Sequence, residues 1–195
     1  MKSGSPFGLL LVAAFVCLSA IALRAADEAV TLKVGDAAPS FEVQTDAGET
    51  WKSADHFGKT VVVYFYPAAM TGGCTKQACA YRDDRQTLAD KGVEVVAVSG
   101  DDVAALALFK KAENLNFALL SDPTGAVAAK FGVPTGAGGE IERVVDGQSH
   151  TLKRGVTAKR WTFVVIDGKI AYKNTEVNAA GDSKAILSFL AKQSN

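Results

Sequence analysis

The sequence predicts an α/β fold: a central mixed sheet flanked by helices, with an N-terminal hairpin extension. Three observations carry this. Residues 61–66, 93–99 and 117–120 are short apolar runs, the first two rich in β-branched and aromatic side chains, of the length of strands buried on both faces. Helix-tolerant stretches lie between them, so the strands are joined by crossovers and run parallel. Near the end, Asp167-Gly168 separates 161–166 from 169–173, the pattern of an antiparallel hairpin, and an amphipathic stretch follows.

Taken in order, the chain starts with a targeting segment. Lys2 gives a positive start, residues 7–22 are mostly apolar, and Ala20-Ile21-Ala22 fits a small-x-small cleavage pattern. Cleavage is expected after Ala22, or after Ala25 at the poorer site Leu23-Arg24-Ala25. The apolar run is short for a spanning helix; left uncleaved, it would be a membrane anchor. Cys17 follows Val16 rather than the small residue a lipidation site requires. The expectation is a single exported domain over 26–195, periplasmic or secreted, with no stable membrane association after cleavage.

Within that domain, 34–39 is a turn-rich entry. Phe41, Val43 and Thr45 alternate with polar residues as an edge strand, Asp46-Ala47-Gly48-Glu49 turns, and Thr50-Trp51-Lys52 returns. Residues 53–57 read as one helical turn ended by Gly58. His56 in that turn reads as a packing or surface residue, with nothing to aim it as a base. The strand 61–66 stops at Pro67, which has no N–H to give a ladder. Gly72 and Gly73 let the chain turn, Thr71 or Gly72 caps, and one helix runs from there to Lys91-Gly92. After strand 93–99, Asp101 or Asp102 caps a helix through Leu106, Phe109 and Leu115. Residues 122–125 turn, and 126–131 form a short helix closed by Gly132. Residues 134–159 are the least readable: Pro134 and Gly136, Gly138 and Gly139 mark a loop, and 140–145 and 149–152 flank Asp146-Gly147-Gln148 as a hairpin, an insertion that either flanks the site or decorates an edge. The final helix, 182–192, aligns Ile186, Leu187 and Leu190 on one side.

Cys74 falls in the first turn of the helix that follows the central strand. That turn carries unpaired N–H groups and the positive end of the helix dipole, and both favour a thiolate. An accessible thiolate at a helix start is a nucleophile; the alternative is a small hydrophobe packed there. Cys79 follows five residues later. In an exported protein two cysteines suggest a structural disulfide. On a continuous helix, however, their Cα atoms lie roughly 8.7 Å apart, and a disulfide wants less than about 7 Å. The pair bonds only if the helix start unwinds, which suits a switch better than a staple. The spacing fits no zinc pattern, His56 and His150 are isolated, and no metal or cofactor is expected.

Composition narrows the partners. The 195 residues carry 48% hydrophobic and 22% charged side chains and no formal net charge. Residues 1–25 hold Lys2 and Arg24 and no acid, which leaves 19 bases against 21 acids. That is no electrostatic footprint for nucleic acid. The densest basic group, Lys153, Arg154, Lys159 and Arg160, has no aromatic platform beside it and reads as a solvated loop with one functional arginine.

Pro67-x-x-x-Thr71-x-x-Cys74 resembles the active-site signature of the peroxiredoxins. The continuation through Cys79 to Tyr81-Arg82-Asp83 resembles their Q type, also called bacterioferritin comigratory protein. The likeness runs from about Val34 to the C-terminus and includes 35–41, Ser121-Asp122-Pro123 and 160–170. Two positions depart from it: Gly72 where the family usually has proline, and Gln77 where it usually has an acid. The resemblance implies a thioredoxin-like fold and a thiol peroxidase acting on hydrogen peroxide and organic hydroperoxides. It implies that Arg160 lies next to the Cys74 thiolate. Thr71, three residues before the cysteine, can present its hydroxyl beside the sulfur, and Pro67 shapes and shields the pocket. Peroxide converts Cys74 to a sulfenic acid that condenses with a second thiol, and the mature chain offers Cys79. The resulting disulfide implies thioredoxin or a similar dithiol as reductant. A resolving cysteine on the same helix needs no partner chain, so a monomer is expected. Two other readings stand beside this one: an exported dithiol carrier, which would prefer Cys-x-x-Cys, and a binding module stapled by one disulfide. Peroxide turnover that depends on Cys74 separates them.

Overall fold

The computed structural model describes residues 31–193. The targeting segment expected at 1–25 lies outside them. Among the described residues, no helix is long and apolar enough to cross a membrane.

Nine strands and five helices follow one another as β1 (Glu42–Thr45), β2 (Thr50–Lys52), β3 (Thr60–Phe65), α1 (Gly72–Asp83), α2 (Arg85–Ala89), β4 (Val93–Ser99), α3 (Val103–Glu113), β5 (Ala118–Ser121), α4 (Ala126–Lys130), β6 (Thr135–Val145), β7 (Gln148–Ala158), β8 (Trp161–Ile166), β9 (Lys169–Asn174) and α5 (Asp182–Gln193). A single 3-10 turn, Ser53–Asp55, precedes β3. Seven strands make one sheet in the order β2-β1-β5-β4-β3-β8-β9. As expected, β3, β4 and β5 are parallel and β8–β9 is an antiparallel hairpin. The N-terminal hairpin is an edge of this same sheet, because β1 pairs antiparallel with β5.

The central strand β3 is buried on both faces, and its alternation sorts the core into two layers. Val62, Tyr64 and Tyr66 pack with Tyr81, Leu106, Phe109 and Ile186 under α1, α3 and α5. Val61, Val63 and Phe65 pack with Phe41, Trp51, Phe131 and Phe163 on the other face, beneath α4 and the N-terminal segments. His56 is in that second region as a packing residue: its ring stacks on Trp51 at 4.4 Å, and Nδ1 lies 2.8 Å from Glu94 Oε2.

Two expectations are corrected here. The helix expected to run unbroken to Lys91 is interrupted at Asp84, whose backbone leaves the helix at φ −90°, ψ 2°. The Asp84 carboxylate accepts from Ser183 Oγ at 2.8 Å and from Lys184 Nζ, both on α5. These contacts tie the break to α5, about a hundred residues on, and sequence periodicity does not show them.

The second correction concerns 134–159. The hairpin expected around Asp146-Gly147-Gln148 is present, but as an arm whose strands β6 and β7 run eleven residues each and take in 135–139, which reads as a loop. Gly147 makes the turn at φ 78°, whereas Gly138 and Gly155 mark close approach. A Cβ on Gly138 would come 2.2 Å from the Arg154 carbonyl oxygen, and one on Gly155 would come 2.1 Å from that of Pro123. The Gly100 carbonyl accepts from Gly155 N at 2.9 Å, and a Cβ on Gly100 would lie 2.1 Å from the Val156 carbonyl oxygen. Backbone thus packs on backbone at the foot of the arm. The basic group also dissolves: Lys153 pairs with Glu140 at 3.4 Å, and Arg154 Nε donates to Thr157 Oγ1 at 3.0 Å.

Candidate active site

The site is the junction of β3 with α1. Tyr66 N donates to the Val98 carbonyl at 3.1 Å as the last rung toward β4. Pro67 then ends the ladder, as expected, and is half-buried at the start of the connecting loop. The reversal itself falls on Met70, a non-glycine residue at φ 56°, while neither Gly72 nor Gly73 has a positive φ. Two contacts hold this loop. Asp101 is buried rather than capping a helix, and its Oδ2 accepts from Ala69 N at 2.8 Å and from Ser99 Oγ at 2.7 Å. Asp102 caps α3 instead, accepting from Ala105 N at 2.8 Å. From the arm, Arg143 Nε donates to the Met70 carbonyl at 2.9 Å. The insertion therefore flanks the site.

Thr71 is the residue before α1 and has extended backbone, φ −100° and ψ 149°. Its hydroxyl does not cap the helix. It donates to the Ala68 carbonyl at 2.9 Å and so tightens the loop. Gly72 opens the helix with nothing within 4 Å of the space a Cβ would take. Gly73 is different: a Cβ there would lie 3.3 Å from Arg160 Nη2. Of the two glycines, Gly73 is the one that makes room, and what it admits is a guanidinium.

Cys74, the third residue of α1, is 2% exposed, and the accessible thiol expected from its helix-start position is corrected accordingly. It faces inward among Tyr66, Ala69 and Ala78. One cation reaches it: Arg160 Nη2 donates to Cys74 Sγ at 3.2 Å. Arg160 immediately precedes β8, the strand paired antiparallel to β3, so the sheet register carries it to the start of α1. On its outer side Arg160 lines a surface recess of about 640 Å³ together with Trp161, Glu176 and Asn178.

Gln77, one helical turn after Cys74, is fully buried. Its Oε1 accepts a short hydrogen bond from Arg160 Nη1, and its Nε2 donates to Asp182 Oδ2 at 2.8 Å. The same Asp182 oxygen accepts from Tyr81 OH at 2.8 Å and from Thr162 Oγ1 at 2.7 Å. Burial pushes the Asp182 carboxyl above its ordinary range, while the bonds from Thr162, Gln77 and Tyr81 pull it back. Asp182 reads from sequence only as the start of an amphipathic helix. A buried carboxylate there has no periodic signature, and neither does Arg143.

Cys79 lies on the same helix, half-buried, and its Sγ donates to Glu113 Oε2 at 3.6 Å. Burial raises its thiol above the ordinary cysteine value; Arg82 opposes this and Glu113 adds to it. Both cysteines are free. Of the residues singled out in the sequence, Cys74 and Arg160 are in direct contact, and Thr71 and Pro67 shape the loop beside them. Cys79 sits apart, farther along α1.

A buried thiol at a helix start under a guanidinium suits a thiol-based oxidoreductase. The comparisons give it a family. Residues 34–173 match the AhpC/TSA family. The peroxiredoxin Bcp of Escherichia coli K12 is 37% identical over 160 residues, which span 82% of this chain and 96% of that protein. The crystal structure of peroxidoxin BcpB from Mycobacterium tuberculosis is 32% identical, with a TM-score of 0.69 over 83% of this chain and 97% of that one. A bacterioferritin comigratory protein of Xanthomonas campestris, solved in work on its alkyl peroxide reduction, is 23% identical and shares the fold with a TM-score of 0.68. The chain belongs to the AhpC/TSA family, as a peroxiredoxin of the Q, or bacterioferritin comigratory protein, type. Its fold is thioredoxin-like and it is a peroxidase, as the resemblance in the sequence implied.

Proposed function

We propose that Cys74 is the peroxidatic residue and that Cys79 resolves it, in a cycle that reduces hydrogen peroxide and organic hydroperoxides. The observation that carries this is the 3.2 Å contact between Arg160 Nη2 and the Cys74 sulfur on the first turn of α1. The thiolate attacks one peroxide oxygen and the O–O bond breaks. The second oxygen leaves as hydroxide or alkoxide and takes up a proton, and the sulfur is left as a sulfenic acid. Charge develops on the leaving oxygen, so a fixed guanidinium and the free N–H groups of the first helical turn lower the barrier. Thr71 and Pro67 support this role by setting the loop's shape.

The Cys79 thiol then attacks the sulfenic sulfur. An S–S bond forms, water leaves, and an external dithiol returns both thiols. Thioredoxin or a thioredoxin-like protein fits as that dithiol. The carboxylate of Glu113 beside Cys79 is placed to take its proton. Both cysteines lie on one helix, which supports a cycle completed within a monomer.

Arg160→Met is the sharpest test of the site. It keeps much of the side-chain length and removes the charge and both hydrogen bonds. The rate constant with hydrogen peroxide is expected to fall by roughly two orders of magnitude or more, the scale for losing one preorganised donor to developing charge. A rate constant within about threefold of the parent removes Arg160 from the site.

We also propose that residues 1–25 direct export to the periplasm or the outside. The support is Lys2, the apolar run and Ala20-Ile21-Ala22. Protein recovered from its native host is expected to begin at Leu23 or Ala26. A native protein that keeps Met1 or Lys2 argues for the membrane-anchored form instead.

A further inference from the structure

Arg160 is partly buried, and its guanidinium is shared between Cys74 Sγ and Gln77 Oε1. A cation in that position needs a counter-charge that lasts through the reaction. The thiolate cannot supply it throughout, because its charge disappears when the sulfenic acid forms. No carboxylate contacts Arg160 directly among the hydrogen bonds and ion pairs of the described residues; the nearest step beyond Gln77 is Asp182.

The chemistry of the three groups fixes how Gln77 must point. Arginine can only donate and an ionised carboxylate can only accept. The amide therefore turns its oxygen to Arg160 and its nitrogen to Asp182. A side-chain amide without a charged anchor could turn over, and its NH2 group would then face the guanidinium. Asp182 is well placed to prevent this. Its Oδ2 collects three donors, from Gln77, Tyr81 and Thr162, and it lies in the first turn of α5, where the helix dipole favours negative charge. Its other oxygen, Oδ1, is buried and accepts no hydrogen bond.

We propose that Asp182 is a positioning residue for peroxide reduction: acting through Gln77, it orients the Arg160 guanidinium on Cys74 and stays as its counter-charge after the thiolate is consumed. The chain from α5 to the sulfur reads Asp182, Gln77, Arg160, Cys74. When the hydroxide or alkoxide leaves, the guanidinium is still held in place beside it.

This rests on the reading of Cys74 as the peroxidatic residue, and the experiment keeps the two apart. The peroxide rate constant of the first, Cys74-dependent step is followed by stopped flow in the parent protein and in three variants. Asp182→Asn removes the charge, and Gln77→Met removes the relay while keeping the side-chain length. Each is expected to lower the rate constant at least about tenfold. The double variant Gln77→Glu with Asp182→Asn moves the charge one step along the chain, directly onto Arg160. It is expected to return to within about threefold of the parent. A role in stability alone would not be rescued by that transposition. Either single variant within about threefold of the parent overturns the inference. So does a double variant that is slow or does not fold, and it decides the matter if Asp182→Asn itself fails to fold. A parent protein without a Cys74-dependent reaction overturns the peroxidatic reading, and this inference with it.

Discussion

Cys74→Ser is expected to abolish peroxide turnover and leave the fold in place. Cysteine at this position is 2% exposed and packed among Tyr66, Ala69 and Ala78, so a residue of different size would disturb α1. Serine is close to isosteric, and its hydroxyl oxygen can take over the hydrogen bond from Arg160 Nη2. A melting temperature within a few degrees of the parent would register that. The chemistry does not survive the change. A serine hydroxyl is far less nucleophilic toward peroxide oxygen than a cysteine sulfur, and it has no sulfenic acid to form. Peroxide consumption with a thioredoxin system is expected to drop to background. Activity within about tenfold of the parent would mean that the oxidised residue is another one.

The second large effect is expected for Cys79→Ser. Both cysteines lie within α1, and the helix holds their Cα atoms roughly 8.7 Å apart, beyond the reach of about 7 Å that a disulfide allows. Closing the bond requires the first turns of α1 to open. That breaks the Arg160 contact to Cys74 and draws Gln77 away from Asp182. Gly72 eases the opening. It sits at the first helical position, nothing occupies its Cβ space, and the extended Thr71 before it would accept a proline neighbour. Glycine in place of a compatible proline leaves the helix start less stable by roughly 0.4–1 kcal/mol. The Cys79→Ser protein should react with its first peroxide at the parental rate, because Cys74 and Arg160 are untouched. It should then accumulate sulfenic acid and, with excess peroxide, sulfinic acid, seen as mass gains of one and then two oxygens. Thioredoxin-linked turnover should nearly vanish. In the parent, amide exchange across 72–82 should be faster in the oxidised form than in the reduced one. Full thioredoxin-linked turnover without Cys79, or equal protection in both redox states, would overturn the scheme.

What could be read from the sequence follows the range of the forces involved. The strands β3, β4 and β8 announce themselves because a strand buried on both faces must be apolar throughout, and that pattern is local. Cys74 could be found because Pro67, Thr71 and the helix it opens are consecutive in the chain. Arg160 was reached only through the family likeness, since nothing local distinguishes it from Lys159. The break at Asp84, the Arg143 contact to Met70 and the convergence on Asp182 all depend on partners far along the chain. The hairpin of β6 and β7 is legible around Asp146-Gly147, but its length is not: Gly138 and Gly155 signal loop locally, and only the backbone packed against them explains them. The burial of Cys74 is not legible in the sequence, because a helix start reads as open and what covers it, Arg160 and the inner layer, comes from far along the chain.

The spacing of the partners bears on how the protein comes to be reactive at all. Met70 is held by an arginine 73 residues away, Cys74 by one 86 residues away, and Gln77 by an aspartate 105 residues away. Contacts across such loops form late, because chain closure must be met before they contribute anything. Until β8 and α5 dock, the guanidinium that contacts Cys74 and the aspartate that holds Gln77 are not at the site. The arrangement proposed to serve peroxide reduction therefore exists only in the completed fold, and a chain short of that stage is expected to react with peroxide more slowly than the finished protein.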